Sequence, residues 1–229
     1  NAILDIKPYF YASNRVELDA VNFDIKSINL RDKNKTLTLN YNYNDKKLIV
    51  FLNRDYSRDE VFRLYIDYVA NPEKGASDQY FAIGSDQGLF FIDPEENDPS
   101  RPTQIWTQGE TEYNSRWFPT FDQPNERCTQ DLYLTVEDRF LTLSNGLLVG
   151  STKTENGFRT DHWHMDKAHA PYLFSVVVGE FAVQKEQWND LELAYYVYPE
   201  YEDCAKEIFN NTPEMLSFFS EITGVEYPW

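Results

Sequence analysis

Between Asp19 and Ala70 apolar and polar residues alternate with a period of two. The runs AVNFDIKSINL, TLTLNYNYN, KLIVFL and VFRLYIDYVA are also rich in β-branched and aromatic side chains. Successive side chains of a strand point to opposite faces, so each run predicts a half-buried β-strand. Turns are expected at Lys33-Asn34, at Asn44-Asp45 and from Asp55 to Ser57. In TLTLNYNYN the alternation puts Leu37, Leu39, Tyr41 and Tyr43 on one face, as in an antiparallel meander with one wet side.

After a loop expected from Asn71 to Gly88, LFFID reads as a short strand before the acidic, proline-rich PEENDPSRP. That segment lacks the glycine and terminal glutamate of an EF-hand loop and is expected to be a solvated surface loop. DLYLTVED, FLTLSNGLLVGSTKTENGFRTDHWHMD, YLFSVVVGEF and LELAYYVYP continue the strand pattern, with Gly146 and Gly157 supplying hairpin turns. Only after Pro199 does the period change. Glu202 to Phe209 and Pro213 to Ile222 carry helical signals, the second with Thr212 as N-cap, Pro213 at the first position and Gly224 beyond the end. Met215, Leu216, Phe218, Phe219 and Ile222 give that helix an apolar face. The fold class is therefore all-β, an antiparallel sandwich or meander that ends in a short helical segment.

The 229 residues suffice for one large β domain, and 16% aromatic content rules out a disordered chain. A formal net charge of -17 repels polyanions and argues against nucleic acid as a partner, while leaving cationic ligands open. No run approaches the ~18 consecutive apolar residues of a membrane-spanning helix. Two cysteines, Cys128 and Cys204, make neither a metal cluster nor a disulfide framework and are expected to be buried free thiols.

The inventory of catalytic motifs is thin. The three histidines, His162, His164 and His169, fall within HWHMDKAH, and the first two share a face if the segment is a strand. With no H-E-x-x-H and no third ligand at a recognisable spacing, they are read as partly exposed strand histidines, not a metal site. There is no G-x-S-x-G, no cysteine with an adjacent histidine and no phosphate loop. The stretch IWTQGETEYNSRWFPTFDQPN, residues 105–125, stands apart. It is crowded with aromatics and carboxylates and has no clean period, and Arg116 is expected to pair with Asp122 within it.

TQGE, RWFPTFDQPNERCTQDLYLTV, LSNG and YLFSVVVGEF, in that order, with LDAVNFDIKSI before them and ITGVEYPW after, carry a resemblance. Together they resemble the N-terminal domain of zinc aminopeptidases of the aminopeptidase N family, relatives of leukotriene hydrolase. The resemblance implies a saddle-like β domain over residues 1–200 and a helical connection over 201–229. That connection would lead to a thermolysin-like catalytic domain holding zinc through H-E-x-x-H. Neither that motif nor G-A-M-E-N is in the chain, so this segment alone is expected to be inactive, with no metal ligands of its own. The chain is expected to be an excised domain that starts after the family's first strands.

The family's functional residue here is the last of its T-Q-x-[EQ] segment. The resemblance therefore implies that Glu110, with Gln108 beside it, binds the free α-ammonium group of a peptide substrate. The expected partners are that peptide N-terminus and the chain's own catalytic domain, and the compartment stays open. The rival reading is a stand-alone β-sandwich module for carbohydrate or protein, with exposed aromatics as its platform; an adhesion domain is a weaker third.

Overall fold

The computed structural model describes residues 1–32, 35–74 and 87–228. The turn expected at Lys33-Asn34, most of the loop before Gly88, and Trp229 lie outside the described residues. The strands are β1 (Ala2–Ile6), β2 (Ser13–Asp19), β3 (Phe23–Asp32), β4 (Lys35–Thr38), β5 (Tyr41–Tyr43), β6 (Lys47–Tyr56), β7 (Phe62–Ala70) and β8 (Leu89–Ile92). They continue with β9 (Gln104–Thr107), β10 (Cys128–Glu137), β11 (Leu141–Ser144), β12 (Leu147–Lys153), β13 (Phe158–His169), β14 (Val176–Gly179), β15 (Ala182–Trp188) and β16 (Leu191–Val197). Helices α1 (Glu202–Phe209) and α2 (Thr212–Thr223) close the chain. No helix among the described residues is long and apolar enough to cross a membrane.

Two compact units divide the chain. The first comprises Asn1–Phe91, Ile105–Gln130 and Met165–Val176; the second comprises Ile92–Gln104, Asp131–His164 and Val177–Trp229. In the first unit the sheets have the orders β1-β7-β3-β4 and β2-β6-β5, with antiparallel pairing. Alternate residues of each supply one core: Val16 and Leu18 from β2, Leu48, Val50 and Leu52 from β6, Phe62, Leu64 and Ile66 from β7. In β3 the buried residues change parity from Phe23 to Ile28 and Leu30, because the register with β7 shifts between Ile25 and Ser27. Lys26 is the extra residue of a bulge, which lets both halves of β3 face the core.

Three expectations about the first seven strands change. TLTLNYNYN is not one strand: β4 pairs with β3, whereas β5 pairs with β6 in the other sheet. The chain crosses between sheets at Leu39 and Asn40, whose backbones bond to Ile28 and Phe51 respectively, and this leaves Tyr41 exposed. The turn expected from Asp55 lies later, because β6 runs on to Tyr56 and the bend is closed by Ser57 and Glu60. The short β1, the charged β2, and β15 further on, are strands that alternation alone did not single out. The turn at Asn44-Asp45 is as expected, with Asn44 Oδ1 accepting from the Lys47 amide at 2.7 Å and Asp45 at φ 63°.

In the second unit, Gly157 at φ 81° turns β12 into β13 as a true hairpin. Gly146, at φ 84°, also turns the chain, but β11 and β12 belong to different sheets, so SNG is a corner and not a hairpin. Strands β15 and β16 form a two-stranded ribbon against which α1 lies, with Tyr195 stacked on Phe209 at 4.5 Å. Helix α2 carries Pro213 in its first turn and ends at Gly224 in the left-handed region, but Asn211 and not Thr212 occupies its N-cap. Met215, Phe218, Phe219 and Ile222 are each more than half exposed. Both cysteines are free and exposed, not buried: Cys128 opens an outward-facing part of β10, and Cys204 faces outward from α1 beside the buried Ala205.

A buried ion pair anchors β13. Asp161, only 3% exposed at its side chain, meets Arg159 at 3.1 Å and accepts from Thr142 Oγ1 at 2.7 Å and Ser151 Oγ at 2.6 Å. Burial pushes the Asp161 carboxyl up, but the bonds from Arg159, Ser151 and Thr142 outweigh it and hold it below the usual carboxylate range. A carboxyl lowered in the folded state stabilises above its unfolded pKa, and that contribution is lost as pH falls through the folded value. Asp161→Asn is expected to lower stability by about 3 kcal/mol at neutral pH, since it removes the buried one of the two carboxylates that Arg159 meets and leaves only the more exposed Asp138 at 3.6 Å. The gap to the parent should narrow on acidification below about pH 4. Urea unfolding midpoints across pH check this; equal stability at neutral pH, or a gap that does not narrow with acid, would contradict it.

Candidate functional site

Thr107 ends β9, and the chain then leaves the ladder in the turn that carries Gln108, Gly109 and Glu110. The turn is closed by the Tyr113 amide donating to the Gly109 carbonyl at 2.9 Å, and it is fixed at its start by the Gln108 amide donating to the Gly88 carbonyl at 2.9 Å. The Gln108 side chain folds back on the turn, where its Oε1 accepts from the Glu110 backbone amide at 3.4 Å. Gly109 is buried, whereas Glu110 is exposed. The Glu110-Thr111 peptide is cis.

Beneath this turn lies Asn114, which is fully buried. Its Nδ2 donates to the carbonyls of Pro171 at 2.6 Å and Phe174 at 2.9 Å, and its Oδ1 accepts from Trp117 Nε1 at 2.8 Å. The absence of a side chain at Gly109 is required by this packing. A Cβ there would sit 2.4 Å from Asn114 Nδ2 and 2.4 Å from the Tyr172 carbonyl oxygen. Gly88, at φ 75°, likewise admits the Tyr113 carbonyl, which would be 2.1 Å from an added Cβ. Both glycines therefore serve close approach of the chain to itself.

The rest of the stretch is scaffold, with one change to the expected pairing. Arg116 reaches the carbonyls of Pro72 and Lys74, and Asp122 is held by other groups: its Oδ2 accepts the Ser115 amide at 2.8 Å, and its amide donates to Asp19 Oδ2 at 3.2 Å. Asp122 is so close to Ser115 because Asp19 and Thr120 form a bridge that folds 120–122 back on β2. Burial pushes the Asp122 carboxyl up against the pull of the Ser115 amide, and Asp19 and Glu112 push it the same way. Phe118 stacks on Phe174 at 5.1 Å, which adds apolar contact to the polar bonds made by Asn114. Asn114 was not singled out by sequence. Its only signal is an amide placed among aromatics, and its carbonyl partners lie far along the chain.

In the second unit His162 and His164 do share a face of β13, as spacing implied. Both rings bond to Asp131 Oδ1, His162 Nε2 at 2.7 Å and His164 Nδ1 at 2.9 Å, and Tyr133 stacks on His162. These bonds, His162's first, hold the Asp131 carboxyl below its usual range. Trp163, on the opposite face, is buried and donates to Thr142. His169, in the first unit, is buried beside Phe174 and bonds through Nδ1 to the Lys167 carbonyl. Among the described residues no group of three or more His, Cys, Asp or Glu side chains is arranged to hold a metal ion. The acidic loop before β9 is mostly exposed and is pinned by Arg139, which reaches Glu96 there as well as Glu137 and Glu180.

A family model described as the peptidase M1 N-terminal domain matches residues 4–173. Transcription initiation factor TFIID subunit 2 of Danio rerio is 25% identical over 173 residues, covering 74% of this chain and 13% of that protein. Endoplasmic reticulum aminopeptidase 1 of Homo sapiens is 25% identical over 112 residues, covering 48% of this chain and 12% of that protein. The chain thus spans well under a fifth of the length of these relatives. Among solved structures, Legionella pneumophila aminopeptidase A in complex with aspartic acid matches with a TM-score of 0.73 at 19% identity, over 94% of this chain and 23% of that one. A mutant M1 zinc metallopeptidase from Deinococcus radiodurans bound to a Tyr-ser-ala substrate matches with a TM-score of 0.67 at 18% identity, over 95% of this chain and 47% of that one. At these identities the structural matches establish the fold.

Proposed function

Because the chain belongs to the peptidase M1 N-terminal domain family, we propose that it is the noncatalytic, substrate-anchoring domain of a zinc aminopeptidase. Glu110 binds the free α-ammonium group of a peptide, and Gln108 lines the same place. The observation that carries this reading is the contrast at the 108–110 turn. Glu110 is exposed, while the backbone immediately before it is buried and fixed by Asn114 and Gly109. A charge held on so rigid a support can fix the end of a substrate relative to a reactive group elsewhere.

Zinc belongs to this reading as a Lewis acid that polarises the scissile carbonyl and lowers the pKa of a bound water. We assign its ligands to the catalytic domain, outside this chain, where the family resemblance puts H-E-x-x-H. The role of this chain is then to read the ammonium and to limit how far the peptide extends beyond it. The exposed apolar face of α2 is proposed as the side that meets the catalytic domain, with residues 201–229 as the connection.

A second reading has a specific observation behind it. The TFIID subunit 2 relatives align over 173 residues, against 112 for endoplasmic reticulum aminopeptidase 1. On that reading the domain serves assembly and its turn binds no substrate. The two separate in one assay on the full-length protein that carries this domain, loaded with zinc. Release of the first residue from a free peptide, with the N-acetylated peptide left intact, is the expected result. No release from the free peptide, or equal cleavage of both, would sink the aminopeptidase reading.

A further inference from the structure

We infer that Asn114 is the positioning residue of the proposed ammonium site: its buried amide ties the 109–113 turn to the 171–174 segment and so sets where Glu110 presents its carboxylate. This rests on the reading of Glu110 as the anchor. A primary amide has two N–H donors and a carbonyl acceptor, and at Asn114 every one of these has a partner. Both hydrogens of Nδ2 go to the carbonyls of Pro171 and Phe174, and Oδ1 takes the Trp117 indole N–H. A flipped amide would face two carbonyls with its oxygen and the indole N–H with its NH2 group, so only one orientation satisfies the site.

That orientation sets the floor on which Gly109 rests, since Asn114 Nδ2 and Cγ occupy the space where a Cβ at Gly109 would be. The 171–174 segment is itself a fixed platform. Its turn is closed by Leu173 and Phe174 amides bonding back to Ala170 and Pro171, and Pro171 is buried. The same platform holds the other side of the turn, through the Val176 amide donating to Thr107 Oγ1 at 2.9 Å. Thr107 and Asn114 therefore clamp the chain before and after Glu110 to one stretch of backbone. Neither side chain needs to touch substrate for the clamp to matter.

The test uses the full-length zinc-loaded protein and two inhibitors, L-leucine hydroxamate and its des-amino analogue, which differ only in the α-amine. The ratio of their inhibition constants reads the ammonium site alone. Asn114→Ser, which can no longer reach both carbonyls, is expected to reduce the preference for the amine roughly tenfold. Zinc content and the constant for the des-amino analogue should not move. Because Asn114 acts through Glu110, the double variant with Glu110→Ala should match Glu110→Ala alone and not multiply the two losses.

If the serine variant does not fold, Asn114→Asp serves. It keeps the size and the acceptor for Trp117 but loses the paired donors, and the same reduced preference is expected. An unchanged preference in either folded variant, or losses that multiply in the double variant, would overturn the assignment of Asn114 while leaving Glu110's role standing. If Glu110→Ala itself leaves the preference unchanged, the anchor reading falls and this inference with it.

Discussion

Glu110→Ala, made in the full-length zinc-loaded protein, is expected to lower kcat/KM for an aminoacyl anilide by roughly two orders of magnitude or more, about 3 kcal/mol of transition-state stabilisation. An aminopeptidase recognises the end of a chain, and the chemical mark of that end is an ammonium group one residue from the scissile bond. On the proposed reading Glu110 offers a carboxylate for that mark, on a turn whose backbone is bonded on both sides. Losing it leaves the ammonium without a charged partner and the peptide misplaced, so kcat should fall as well as affinity. Glu110→Gln should lose less, because an amide oxygen still accepts from the ammonium. A solvated loop glutamate with no ligand would give almost no effect, and wild-type turnover by a folded alanine variant would remove the anchoring role.

Gly109→Ala should be strongly destabilising for the addition of a single methyl group. The new Cβ would meet Asn114 Nδ2, Asn114 Cγ and the Tyr172 carbonyl oxygen, all within 2.5 Å. None of these can swing away cheaply, since Tyr172 offers backbone and Asn114 is held by three hydrogen bonds. Overpacking at such a site costs about 2 to 3 kcal/mol, a fall in Tm of roughly 4 to 12 °C for a domain of this size. Gly157→Ala is the matched comparison: φ is 81°, but nothing lies within 4 Å of an added Cβ, so only the backbone penalty of about 1 kcal/mol applies. Calorimetry on the two variants checks the order; a Gly109→Ala protein as stable as the parent would mean that the turn is not packed as described.

The strands whose faces differ plainly, such as Leu48-Val50-Leu52 in β6 and Phe62-Leu64-Ile66 in β7, were legible because period-two burial is a local property. What alternation cannot see is the partner. Nothing within TLTLNYNYN marks the point where the chain leaves one sheet for the other, and the Lys26 bulge shows only in pairing with β7. The helices were legible for the opposite reason, since Pro213 and Gly224 mark both ends of α2 in the chain itself.

The candidate site was half legible. The family motif pointed to Glu110 and Gln108, whose role in binding is the proposal made above, and both lie in the turn that follows β9. Its support was not legible, because Asn114 is satisfied by carbonyls 57 and 60 residues away and backbone carbonyls carry no signature in a sequence. The same blindness explains Arg116 and Asp122: opposite charges close in sequence suggest a pair, but the fold offers Arg116 carbonyls of Pro72 and Lys74 and gives Asp122 to the Ser115 amide.

The central claim is that Glu110 holds the substrate's α-ammonium group. It is tested most directly by a crystal structure of the full-length protein with a bound dipeptide or free amino acid. The account predicts the ammonium nitrogen within about 3 Å of a Glu110 carboxylate oxygen, with the 108–113 turn placed as it is here. An ammonium bound wholly by other groups, with the Glu110 side chain turned to solvent, would contradict it.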